Sequence, residues 1–274
     1  MSSIFQTFFL FTQEDWRRRY PSAYALIGEA TGLLLSLTVY WYTSRAFGTA
    51  GISEYLNGLA PNYFSYIILS EVTLIIPLSL MNAVLEFTRL SREEGTLDEL
   101  LLLSPHPVSL FVGLSVTGIP RETVRATLTL VLAALVFNFH VTLPAFMGWL
   151  VIQGAALAAF AGIGMIAAGF FLIFGRGQGA LTLITMVGTI LGGAYFPQQL
   201  LPALAQKFSN LLSPFQILLQ APRQLFLTGW TNETTQCLLG LIVWGAVLFP
   251  IGAIVLYYGF YIVRRRGSAE IFST

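Results

Sequence analysis

Long apolar runs separated by short polar ones organise this chain. A bilayer core about 30 Å thick needs roughly 17–25 mostly apolar residues per helix, and six stretches reach that length: 24–47, 62–87, 109–139, 145–174, 179–195 and 235–263. The third and fourth are the longest, so tilt or projection beyond the hydrocarbon is expected there. Ahead of the first run, Ile4, Phe8 and Phe11 fall on one helical face, with Phe5, Phe9, Thr12 and Trp16 beside it. Glu14, Asp15 and Arg17 to Arg19 follow, then Pro21. That pattern predicts a helix over 1–21 lying in the membrane interface before the chain turns into the first span. A secretory signal would need positive charge ahead of the apolar stretch and a small-residue cleavage site after it, and neither is there.

Two connecting segments have their own pattern. Residues 89–107 are polar and acidic, with Ser91 and Glu94 at capping-box spacing and Leu97, Leu100 and Leu101 on one face. This predicts a short amphipathic helix over 91–105, stopped at Ser104-Pro105. Its acid-rich remainder suits an anionic leaflet poorly, so a protein partner is expected there. Residues 196–229 are too apolar for a solvated loop, and Pro197, Pro202, Pro214 and Pro222 divide them into pieces too short to span. Two re-entrant helices are expected, with their broken backbone covered by protein or facing a cavity. The whole chain, 1–274, thus reads as a single all-α integral membrane domain.

Basic residues set the orientation. Arg17, Arg18, Arg19, Arg89, Arg92, Arg176, Arg264, Arg265 and Arg266 flank one side of the six spans, against Arg45, Lys207 and Arg223 on the other. The positive-inside rule then places both termini in the cytoplasm of a cell or inner membrane.

Composition narrows the chemistry. Hydrophobic residues are 55% of the chain and charged ones 10%, against about 25% charged in an ordinary soluble domain. A net charge of +1 gives no basic field for nucleic acid. The single Cys237 and the distant His106 and His140 form no metal-ligand set. A P-loop needs a Gly-rich turn followed by Lys and Ser or Thr; the one lysine, Lys207, has no such context, so the chain carries no nucleotide site of that kind. The turn Gly175-Arg-Gly-Gln-Gly179 follows no strand and reads as a connection between spans.

Ionisable residues inside spans are costly and need an account. Glu29 sits about one turn into the first span, and Glu71 deep in the second. Arg121, Glu122 and Arg125 lie along the third. Glu122 and Arg125, three apart, can pair on one helix face; the remaining arginine wants a second acid, and Glu71 is the expected one. The cluster reads either as a polar strip along a translocation path or as a structural ion pair.

With these residues in place, the chain resembles the membrane subunit of ABC type-2 transporters. The stretch REEGTLDELLLLSP at 92–105 is similar to the family's Arg-x-x-Gly-Thr-Leu-Glu-x-Leu-Leu run after the second span. EDWRRRYPSAY leads into the first span, and Phe196-Pro197, Arg223 and Gly229 match after the fifth; Ser213-Pro214 stands where the family has Asn-Pro. The resemblance implies a coupling helix at 91–105 that docks on a separate ABC ATPase, with Glu93, Glu94, Leu97, Leu100 and Leu101 as its contacts. It also implies two ATPase copies, which bring the ATP and Mg, and a second permease copy, the same or similar, completing the path. No cofactor or catalytic residue belongs to the chain itself, which would be a non-enzymatic exporter subunit. The alternatives are an ion-coupled secondary transporter using Glu71 and Glu29, and a non-transporting membrane anchor.

Overall fold

A computed structural model describes residues 10, 12–14, 16–17, 22–48, 56, 59–103, 106–202, 206 and 213–266. Among them all regular structure is helical: α1 (Ala23–Gly48), α2 (Tyr63–Glu93), α3 (Leu97–Leu103), α4 (Pro107–Val116), α5 (Ile119–Phe137), α6 (Leu143–Phe174), α7 (Gln178–Leu191), α8 (Ser213–Thr228) and α9 (Asn232–Arg266), with a single 3₁₀ turn at Gln198–Leu200. Of the expected interfacial helix, Leu10, Thr12 to Glu14, Trp16 and Arg17 are helical; the rest of 1–21 lies outside the described residues. Three helices, α2, α6 and α9, are both long and apolar enough to cross a membrane.

The bundle is centred on α6, which packs along α9 and α2 and also meets α7 and α8. Apolar area does not drive helices together inside lipid, so close backbone approach must supply the contact energy. Small residues make the α6–α9 seam. A Cβ on Gly162 would lie 2.5 Å from the Leu248 carbonyl oxygen, and one on Gly169 2.6 Å from that of Val255. On the opposite face Gly164 meets the Met81 carbonyl of α2 in the same way. The far side of α9 exposes Ile242, Val243, Val247, Ile251 and Ile254, an apolar stripe suited to acyl chains.

Proline sets the breaks and bends. The third expected span is two helices, because Gly118 and Pro120 interrupt it: α4 ends at Val116 with Thr117 as its C-cap, and α5 begins with Pro120 in its first turn. Arg121 and Glu122 therefore stand at a helix start rather than midway along a continuous span. Pro77 lies inside α2 and removes the N–H that would reach the Thr73 carbonyl four residues back. Gln153 of α6 supplies the missing donor, its Nε2 3.0 Å from Thr73 O. Pro222, expected to divide the outer segment, instead sits within α8. The fifth stretch forms only the 14 residues of α7, about 21 Å at 1.5 Å per residue, shorter than the hydrocarbon core.

The segment after α2 also differs from its pattern. Ser91 does not cap a helix. It is the last buried turn of α2, and its hydroxyl donates to Phe87 O at 2.8 Å. Glu94 is the C-cap of α2, and Gly95, at φ +73°, takes the left-handed conformation that turns the chain. The segment expected as one helix over 91–105 is thus a Gly turn followed by the seven residues of α3, not one helix from Ser91. Ser-x-x-Glu spacing arises here from a helix end, where the same residue types serve other partners.

Candidate functional site: two buried arginine clusters and an amphipathic turn

The first cluster joins α1 and α5. Arg125 Nε is 3.1 Å from Glu29 Oε1, and its Nη1 is 3.7 Å from Glu122 Oε2. Arg121 holds the other Glu122 oxygen at 2.8 Å. Two arginines and two carboxylates therefore balance. The start of α5 favours Glu122 further, because free backbone N–H groups there present positive potential to an anion. Glu122 is 7% exposed, whereas the Arg125 side chain is 40% exposed, so the cluster is buried at its acid and open at its base.

Glu71 is not the second acid. It lies on α2 across a small cavity of about 50 Å³, lined also by Ser36 and Tyr40 of α1 and Arg125 and Thr129 of α5. Tyr40 and Arg125 share that cavity with it, and the Arg125 guanidinium is paired instead with Glu29 and Glu122. A polar space of that size has room for water. Glu29 takes the Arg125 contact because α1 packs against both α2 and α5, a neighbour relation that spacing along one helix does not reveal.

The second cluster joins α2, α8 and the turn after α7. Arg223 is 5% exposed. Its Nη2 donates to Ser70 Oγ at 2.5 Å and to Gly193 O at 2.7 Å, and its plane lies 3.7 Å from the Tyr66 ring centroid. The Tyr66 hydroxyl also donates to Gly193 O, and the Tyr63 hydroxyl donates to Tyr195 O at 2.9 Å. Gly193, at φ +80°, is in the left-handed region that glycine adopts freely. Among the described residues no carboxylate pairs with Arg223. The sequence pattern places Arg223 in the outer re-entrant segment and gives no role to Tyr66 and Ser70. The available signal was the spacing i, i+3, i+7 of Tyr63, Tyr66 and Ser70, which puts them on one face of the second span.

At the other end of α2, the five expected partner contacts divide. Leu97 and Leu101 are 2% and 3% exposed and pack into the bundle. Leu100 is half-buried, while Glu93 and Glu94 are exposed and Leu102 is 87% exposed. Leu97 and Leu101 therefore seat α3, and Glu93, Glu94 and Leu102 face away. Arg264 of α9 closes the end of α3 by donating to Leu101 O at 2.6 Å. Arg92 closes α6 by donating to Phe171 O and Leu172 O at 3.3 and 3.2 Å. Cations at helix C-termini satisfy carbonyls that have no intrahelical partner. Beside α3 opens a cavity of about 710 Å³ whose lining includes Glu14, Glu86, Glu94, Glu99 and Arg121 together with Phe87, Leu90 and Leu114. A further groove of about 390 Å³ between α2 and α7 is lined by Asn82, Thr182, Thr185, Thr189 and Tyr195.

The family model of the ABC-2 type transporter matches residues 6–227, taking in both arginine clusters, the Gly95 turn and α3. Among curated proteins none matches the chain.

Proposed function

The chain belongs to the ABC-2 type transporter family, and from that membership we propose that it is the permease subunit of an ATP-driven exporter. Its energy enters through a partner ATPase that docks on the Gly95 turn and α3. The observation that carries this reading is the continuity of α2 with that turn. One 31-residue helix runs from the Arg223 cluster to Glu93, and α3 follows after three residues. A push on the exposed Glu93, Glu94 and Leu102 therefore meets a helix that crosses the whole bundle, while Leu97 and Leu101 keep α3 seated.

Orientation follows from charge. Arg89, Arg92, Arg264 and Arg265 collect at the end that bears α3, where Arg92 and Arg264 also cap helix ends. Basic residues favour the cytoplasmic side, so α3, the coupling element, faces the cytoplasm where ATP is. The α2–α7 groove presents amide and hydroxyl groups at membrane depth, and a second permease copy would cover it, making Asn82, Thr182, Thr185 and Thr189 part of the export path. Two ATPase copies then serve two permeases. The Glu29–Arg125–Glu122–Arg121 cluster fixes α1 to α5, while Glu71 faces the small cavity.

Purifying the chain together with candidate ATPases tests the proposal. Leu102→Asp combined with Glu93→Lys and Glu94→Lys should abolish ATPase binding, and ATP-dependent export with it. Full export driven by a proton gradient, with no ATPase bound, would overturn the exporter reading in favour of ion coupling through Glu71.

A further inference from the structure

Arg223 is a charge buried at 5% exposure and held by neutral groups, and those groups belong to pieces of chain far apart in sequence. Ser70 Oγ donates its own proton to Tyr66 O at 2.7 Å, which leaves its lone pairs to accept from Arg223. Gly193 O accepts from both Arg223 and Tyr66, so both of its lone pairs are used. The Nη2 donor of Arg223 and both of its acceptors are therefore committed, while the buried Nε of the same guanidinium has no hydrogen-bond partner. In a dry interior such bonds are stronger than in water, and a lost one is not replaced by solvent.

We propose that Arg223, with Tyr66 and Ser70, is a positioning latch that makes α8 and the 193–195 turn move with α2. This deepens the exporter reading and rests on it. Force delivered at the α3 end would otherwise be absorbed where α2 is weakest, at Pro77. There Gln153 replaces the missing backbone donor on Thr73, so α2 remains one lever across the proline. From Ser70 to Glu93 the lever is about 35 Å long at 1.5 Å per residue. The latch lies beyond the proline, on the side away from α3. Movement of α2 is thereby delivered to α8 and to the short turn that follows α7, the elements bordering the far mouth of the α2–α7 groove through Tyr195. Arg suits the role because its planar fork donates in two fixed directions while its face rests on Tyr66.

The test uses the complete permease–ATPase complex in right-side-out vesicles. Cys237→Ser removes the native thiol and Leu200→Cys, in the exposed 3₁₀ turn, supplies a reporter for a membrane-impermeant maleimide. In the parent, ATP with orthovanadate should change the labelling rate. Tyr66→Phe and Ser70→Ala each remove one polar atom, and Arg223→Met removes the guanidinium. Ser70→Ala, which removes one bond to a charged group, should shrink the nucleotide-dependent change by about tenfold, Arg223→Met by more and Tyr66→Phe, which removes a neutral bond, by about threefold. ATP hydrolysis should stay within about twofold, since α3 is untouched. Arg223→Lys should restore part of the response, because an ammonium reaches the same acceptors without the fork. Variants that hydrolyse ATP and keep the parental labelling change overturn the latch and leave the exporter reading standing. A parent that binds no ATPase removes that reading, and the latch with it. Should Arg223→Met fail to assemble, Tyr66→Phe decides the matter, since it alters a single oxygen.

Discussion

Arg125 and Arg223 are both arginines among membrane helices, yet they are held in opposite ways. Arg125 has two carboxylates within 4 Å and a side chain 40% exposed. Arg223 has a serine hydroxyl, a backbone carbonyl and an aromatic face, and is 5% exposed. The first arrangement neutralises charge and tolerates movement, because a carboxylate accepts over a wide range of angles and water can reach the base. The second tolerates little, because each acceptor points one way. The contrast indicates where the bundle should yield and where it should transmit.

Breaking the second cluster should cost most. Arg223→Met leaves Ser70 and Gly193 O without their donor, and an expected loss of about 2–4 kcal/mol follows from unmade buried bonds. Thermal unfolding in detergent would read it, and the loss should exceed that of Arg125→Met. Next comes Glu122→Leu, which strands two arginines against the single Glu29. A penalty of about 2–3 kcal/mol is expected, reduced from a fully buried pair by the exposure of Arg125. Adding Arg125→Met to Glu122→Leu should recover part of it, and no carboxylate substitution should affect Arg223 in the same way.

A finer test separates the two candidate acids of Arg125. Double-mutant cycles should give a coupling of about 1 kcal/mol for Glu29 with Arg125 and a clearly smaller one for Glu71 with Arg125. Equal couplings would mean that Glu71 shares the arginine after all. Gln153→Leu should cost about 1–2 kcal/mol, the price of an unsatisfied Thr73 carbonyl, and should be suppressed by Pro77→Ala, which returns the backbone donor. Smallest of all, Leu102→Asp should change stability by less than about 0.5 kcal/mol, as exposed positions do, while weakening ATPase co-purification. A large stability loss there would show that α3 seats itself through Leu102 as well.

Much of this arrangement was legible in the residues. The membrane character, the acidic turn after the second span and the Glu122–Arg125 pairing all follow from local spacing, which a helix converts directly into adjacency. The break at Gly118-Ile119-Pro120 was also written there, though the apolar residues on both sides hid it. Ser91 and Glu94 misled for the opposite reason: a motif of two residue types does not say which helix it belongs to. Arg223 and Ser70 lie 153 positions apart, and no periodicity connects residues on different helices.

The sequence alone therefore determined that this is a helical membrane protein, because burying that much apolar surface leaves few other solutions. Only the tertiary structure decided the partners: Glu29 rather than Glu71 for Arg125, Gln153 for the carbonyl freed by Pro77, and α2 for Arg223. The physical reason is that hydropathy is a property of each residue, whereas a hydrogen bond or ion pair depends on the packing of two helices, set here by small residues such as Gly162 and Gly164 at the seams of α6.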